Sequence, residues 1–174
     1  MFSRFYPDEY VTSTYDIDYY ALYDKGYRGI IFDIDNTLVP HGAPADPKAR
    51  QLFVRLNSLG FRTLVLSNNK EPRVRSFAEA VKATGFIFKA GKPMKGGYQK
   101  AMQLLKTKPY NTVFIGDQIF TDVWGAKRVG IHTILVEPVE KWKEEPQIIL
   151  KRFFESIVIR EYFAANRFWK DREK

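Results

Sequence analysis

From Gly29 to Val136 short apolar runs alternate with amphipathic stretches, a pattern that predicts strands separated by single helices. Gly29 to Phe32 reads as a buried strand, because its apolar run is continuous and stops at an acidic residue. Pro47 to Leu59 reads as a helix with Asp46 as N-cap and Pro47 at the first helical position, and Phe61 to Leu66 as the next strand. The spacing then predicts a helix from Pro72 to Thr84, a strand at Phe86 to Phe88 and a helix from Lys95 to Lys106. A strand from Thr112 to Ile115, a helix from Phe120 to Val129 and a strand from Ile131 to Val136 complete the run. Strands joined by single helices require right-handed crossovers, which place helices on both faces of a parallel sheet. The expected fold class is therefore α/β, a doubly wound, Rossmann-like parallel sheet.

The flanks differ from this core. Residues 1–25 form a lead-in holding Tyr6, Tyr10, Tyr15, Tyr19, Tyr20 and Tyr23, and residues 138–174 form an extension with helical apolar spacing at Leu150, Phe153, Phe154, Ile157, Val158 and Tyr162. With a core at 26–137, the 174 residues suit one domain. Hydrophobic residues make up 45% and charged residues 28%, the composition of a chain that folds by itself. The absence of cysteine excludes disulfides, thiolate metal sites and cysteine nucleophiles. No apolar run approaches the roughly 18 residues of a membrane span, and the first residues lack a signal-peptide core, so a cytoplasmic protein is expected.

Charge is unevenly distributed within the net +8: residues 1–87 carry 11 basic and 10 acidic groups, residues 88–174 carry 17 and 10. Such a bias fits an anionic partner, or simply a solvated basic face.

In open α/β sheets, ligands gather at the carboxyl ends of strands. There the chain places Asp33, Asp35 and Thr37 after one predicted strand, Ser67 and Asn68 after the next, Lys92 after the third, and Asp117 and Asp122 after the fourth. Any one of these acids alone could cap a helix or a loop. Several together repel one another unless a cation neutralises them, and Mg2+ suits a set of oxygen donors that leaves room for water and phosphate. Ser67 and Lys92, each ordinary alone, add a hydroxyl and an ammonium of the kind that stabilises a transferring phosphoryl group.

Asp33-Ile34-Asp35-Asn36-Thr37, Ser67-Asn68-Asn69, Lys92-Pro93 and Gly116-Asp117-Gln118-Ile119-Phe120-Thr121-Asp122 resemble the four ordered motifs of the haloacid dehalogenase (HAD) superfamily. The resemblance implies that Asp33 is the nucleophile and forms an aspartyl-phosphate, and that Asp35 is the acid/base. It implies that Thr37 helps set the loop, that Ser67, Asn68 and Lys92 hold the phosphate, and that Mg2+ is bound by Asp33, the Asp35 carbonyl and Asp117, with Asp122 assisting. The dehalogenating branch lacks the second aspartate, so phosphatase chemistry is implied.

Only 34 positions separate Asp33 from Ser67 and 25 separate Ser67 from Lys92, which leaves no room for a cap domain. Residues Pro40 to Pro44 supply at most a small flap. A capless site suits a bulky phosphomonoester. The wording Asp-Asn-Thr-Leu-Val and the tyrosine-rich lead-in are similar to the YqeG-type branch, which resembles the phosphatidylglycerophosphate phosphatases. That resemblance implies an anionic phospholipid substrate and a peripheral place at the inner membrane face. Basic and aromatic residues in the extension, including Phe153, Phe154, Phe163, Phe168 and Trp169, and the aromatics of the lead-in are compatible with lying on such a surface; packing across the sheet is the alternative. Rival readings are a protein, nucleotide or nucleic-acid-end phosphatase, a phosphate-accepting receiver, and an interaction protein with a vestigial pocket. A receiver would not need Asp35, a vestigial site should lack one of Asp33, Asp35, Lys92 and Asp117, and no nucleic-acid-binding module is recognisable.

Overall fold

The computed structural model describes residues 3–140 and 146–170, and within the last helix the side chains of residues 154–166. Its sheet contains β1 (Glu9–Val11), β2 (Gly29–Phe32), β3 (Arg62–Leu66), β4 (Gly85–Ile87), β5 (Thr112–Gly116) and β6 (His132–Val136). The order across the sheet is β1-β6-β5-β2-β3-β4 and every pair is parallel. The helices are α1 (Tyr19–Asp24), α2 (Pro47–Leu59), α3 (Glu71–Val81), α4 (Lys95–Leu105), α5 (Trp124–Lys127) and α6 (Pro146–Lys170).

All four residues of β2 are buried, and their alternation sorts the two layers. Ile30 and Phe32 face the side covered by α1, α2 and α3, where Tyr19, Leu52, Phe53, Leu56, Val74 and Phe77 pack. Ile31 faces the other side, against Tyr98, Ala101 and Leu105 of α4 and Ala126 of α5. Burying each large apolar side chain contributes about 1.5–3 kcal/mol, so these two layers hold the sheet together. Asp46 caps α2 by accepting from the Ala49 amide at 2.7 Å, and Gly60 ends it at a φ of 95° that disfavours side-chain-bearing residues.

From β2 the chain winds outward through β3 and β4, then α4 carries it back to β5 on the opposite side of β2. The reversal opens a crevice beyond the carboxyl ends of β2 and β5. Phe32 pairs in register with Ile115, and Asp33 and Asp117 are the first residues beyond the ends of these neighbouring strands. Each of the segments β2–β3 and β3–β4 contributes one helix, and nothing among the described residues forms a cap over the crevice.

Both flanks pack on the core, the alternative to lying on a surface, and the lead-in adds elements that the sequence pattern did not predict. The lead-in supplies β1 and α1, and β1 extends the sheet by pairing Glu9, Tyr10 and Val11 with Ile134, Leu135 and Val136. Its aromatics are largely packed: Tyr19 is buried and donates to the Thr14 carbonyl at 2.9 Å, and the Tyr15 hydroxyl donates to the Leu38 carbonyl at 2.7 Å. In the extension, α6 is docked, with Val158 buried against Ile119, Val123 and Leu135. The side chains of Leu150, Phe153, Phe168 and Trp169 lie outside the described residues. Among the described residues no helix is long and apolar enough to cross a membrane.

Candidate active site

Lys92 is the hub of the crevice. Its Nζ lies 2.7 Å from Asp33 Oδ1 and 2.7 Å from Asp122 Oδ1, and its side chain is only 5% exposed. Asn68 fixes the lysine through its backbone, accepting from the Lys92 amide at 2.8 Å and donating to the Lys92 carbonyl at 3.2 Å. Burial alone would lower the pKa of the ammonium, but Asp122 and Asp33 outweigh it and raise the value, so Lys92 stays charged.

Asp33, Asp117 and Asp122 are all buried, and each brings a carboxylate oxygen within 4.8 Å of the others. One ammonium bonds two of these three carboxylates, and the remaining negative charge makes the cluster a fit for a hard divalent cation with oxygen ligands such as Mg2+. Asp117 Oδ1 accepts from the Thr37 hydroxyl at 3.1 Å, while Asp122 Oδ2 accepts from the Gln118 amide at 3.1 Å. Asp122 thus bridges Lys92 to the loop after β5. A Cβ at Gly116 would lie 2.4 Å from Asp122 Oδ2, so the strand must end in glycine for Asp122 to fold back over it.

Asp35 points elsewhere. Its Oδ1 accepts from the Gly42 amide at 2.8 Å and from Arg73 at 3.0 Å, and its Oδ2 accepts from Asn69 Nδ2 at 2.5 Å. The Pro40 to Pro44 segment is thereby tied to the acid by Gly42. Its carboxylate is not part of the three-aspartate cluster. Ser67 is buried, and its hydroxyl accepts from the Asn69 amide at 3.2 Å. Asn36 takes a left-handed φ of 62°, which an asparagine tolerates, and its carbonyl accepts from the Val139 amide at 2.9 Å.

Asn69 and Arg73 had no role assigned from sequence; four apart, they reach Asp35 from the turn and first helical residues after β3. Support for the loop from the lead-in was equally unseen, with the Thr14 hydroxyl donating to the Thr37 carbonyl at 2.8 Å. A cavity of about 840 Å3 lies beside the loop, lined by Ser13, Tyr15, Thr37, Pro40, Lys48 and Glu137 among others. Its acids, Asp46, Glu137 and Glu140, outnumber Lys48, which makes it the poorer place for a phosphate.

Burial, reinforced by Asp122 and Asp117 and opposed by Lys92, pushes the Asp33 carboxyl from its ordinary 3.8 up to about 8. The folded protein then keeps a proton that the unfolded chain releases near 3.8, so metal-free stability is highest below that value and falls as pH rises through about 8. A bound cation favours the carboxylate and opposes the loss. Melting temperatures in chelator and in Mg2+ should therefore diverge as pH rises from about 5 to about 8, and a Mg2+ effect that shrinks over this window would contradict the assignment.

A haloacid dehalogenase-like hydrolase family model matches residues 39–130. The chain is 41% identical over 136 residues to "Probable phosphatase YqeG" of Bacillus subtilis, covering 78% of each chain. It is 26% identical over 148 residues to the chloroplastic phosphatidylglycerophosphate phosphatase 1 of Chlamydomonas reinhardtii, covering 80% of this chain and 55% of that relative. Among solved structures, the cobalt-bound deoxy-D-mannose-octulosonate 8-phosphate phosphatase of Haemophilus influenzae superposes with a TM-score of 0.54 at 15% identity, over 64% of this chain and 69% of that one. That last likeness concerns the fold alone. With a doubly wound sheet, four motif segments meeting in one crevice and a relative matched over most of both chains, the protein belongs to the haloacid dehalogenase-like hydrolases, as a phosphatase of that family.

Proposed function

We propose that the protein is a Mg2+-dependent phosphomonoester hydrolase that works through an aspartyl-phosphate on Asp33. The observation that carries the proposal is the Lys92 ammonium 2.7 Å from both Asp33 and Asp122 in a crevice that Asp117 also lines. Asp33 attacks phosphorus as the bond to the leaving oxygen breaks, and Asp35 delivers a proton to that oxygen. Asp35, now a carboxylate, takes a proton from water; the water attacks phosphorus, and Asp33 and inorganic phosphate are released. The three donors around Asp35 match the carboxylate form that activates water. Lys92 and Ser67 hold the phosphoryl oxygens, Asn68 places Lys92, and Thr37 orients Asp117. Asp33, the Asp35 carbonyl and Asp117 would hold Mg2+, with Asp122 assisting; the ion would neutralise charge on the phosphoryl group.

For the substrate we propose an anionic phospholipid headgroup of the phosphatidylglycerophosphate kind. Support comes from the uncapped crevice, from the activity that the chloroplastic relative of Chlamydomonas reinhardtii is named for, and from charge: Lys70, Lys89 and Lys95 are exposed on the segments after β3 and β4, on the same edge as the crevice. An anionic surface presented to that edge meets positive charge first. The test compares kcat/KM on phosphatidylglycerophosphate in anionic vesicles with phosphopeptides and nucleotides. At least about a tenfold advantage for the lipid, falling with added salt, is expected; equal rates would reject the lipid assignment while leaving the phosphatase chemistry intact.

A further inference from the structure

We propose that Glu155, on α6, is a positioning residue for the loop that carries Asp117 and Asp122, so that the C-terminal helix completes the cation site of the phosphatase. The inference rests on the proposed roles of those two aspartates. Glu155 is 3% exposed, and its Oε1 accepts from the Ile119 amide at 2.7 Å and from the Phe120 amide at 3.3 Å. A buried carboxylate is costly unless it is bonded, and here its partners include the first N–H groups of the turn that carries Asp122.

That turn is unusual. Residues Ile119–Val123 are wound as a π-helix, with the Val123 amide donating to the Gln118 carbonyl at 3.2 Å, before α5 begins. Such turns accommodate an extra residue and commonly mark functional sites. Here the winding lets Asp122 fold back onto the Gln118 amide and reach Lys92. Tyr98 grips the far side by donating to the Thr121 carbonyl. On the near side Glu155 holds the two amides, and Ile119 and Val123 pack on Val158 one turn along α6. The lead-in closes the arrangement: Phe5 packs edge-on to Phe120 at 5.4 Å, and Tyr6 donates to Glu161 at 3.3 Å. Removing the carboxylate leaves two amides without this acceptor and frees the π-turn to rewind, which displaces Asp122 from Lys92.

The experiment measures Mg2+ affinity by calorimetry on the full-length protein, together with the amide resonances of Gln118, Ile119, Phe120 and Asp122. Glu155→Ala should weaken Mg2+ binding about tenfold, the scale seen when groups supporting metal ligands are lost, and should shift those resonances. Glu155→Gln keeps an oxygen acceptor and should stay within about twofold of the parent. Val158→Ala, which loosens the same helix and the apolar packing under Ile119 and Val123 but keeps the carboxylate on the two amides, should lower the melting temperature and weaken Mg2+ binding much less than Glu155→Ala does. Unaltered Mg2+ affinity in Glu155→Ala, or equal weakening in Val158→Ala, would overturn the proposal. A parent protein that bound no Mg2+ would overturn the cation reading instead, and the resonances of the metal-free variants would still decide whether Glu155 holds the loop.

Discussion

Asp33→Asn is expected to fold as well as the parent and to hydrolyse phosphomonoesters at least about a thousandfold more slowly. The amide occupies the volume of the carboxylate but cannot attack phosphorus. Stability should not suffer, because the substitution removes one acid from a buried cluster of three, of which Asp122 keeps its bond to the Lys92 ammonium. Metal-free Asp33→Asn should melt at or above the parent temperature near neutral pH, where the folded parent must hold on Asp33 a proton that the unfolded chain has released. Loss of activity with retained melting separates a chemical role from a structural one. An aryl phosphate assay and a thermal scan on the same preparation supply both readings. Activity within tenfold of the parent would rule out Asp33 as the nucleophile.

Lys92→Met should do the reverse and damage the fold as well as the chemistry. It leaves Asp33 and Asp122 buried without their shared counter-charge, and breaking a buried ion pair by removing one partner costs about 3–5 kcal/mol. For a chain of this size that corresponds to a melting temperature lower by roughly 10 °C. The raised pKa of Lys92 fixes the pH dependence. Its contribution is fully present below the unfolded value of 10.5 and is lost only above it, so the melting difference due to the ammonium should persist throughout the neutral range. Mg2+ should recover part of the lost stability by replacing some of the missing positive charge. It should not recover turnover, because the donor aimed at the phosphoryl oxygens is gone, a loss expected to cost about a hundredfold or more in kcat. A variant that melts with the parent would show that the two contacts contribute nothing net.

The sheet core was legible because its strands are continuous apolar runs and its crossovers are short amphipathic helices. Helix ends were less uniformly so: the stop of α4 at Lys106 was read, but α3 stops at Lys82, in the left-handed conformation, short of the expected Thr84, and lysine carries no stop signal of the kind glycine does. The segment after β5 was read as one helix from Phe120 to Val129, whereas it is a π-turn leading into four α-helical residues. Hydrophobic spacing cannot show a single inserted residue of that kind. Strand β1 was missed because three half-buried residues at a sheet edge show neither a buried run nor clear alternation. At the site, side chains on strand ends were visible through their order along the chain. Arg73, Asn69 and Glu155 were not, since each reaches the site from a neighbouring or distant element and meets it only after folding.

The central claim is covalent chemistry at Asp33, and borohydride trapping tests it most directly. Asp35→Asn should slow the water-dependent second step and allow an acyl-phosphate to accumulate during turnover of an aryl phosphate. Rapid reduction of that species converts the modified aspartate to homoserine, which peptide mass spectrometry can locate. Homoserine at position 33, dependent on substrate and absent from Asp33→Asn, is the predicted result. Homoserine at another acidic position, or its absence throughout a burst of product release, would contradict the assignment of Asp33.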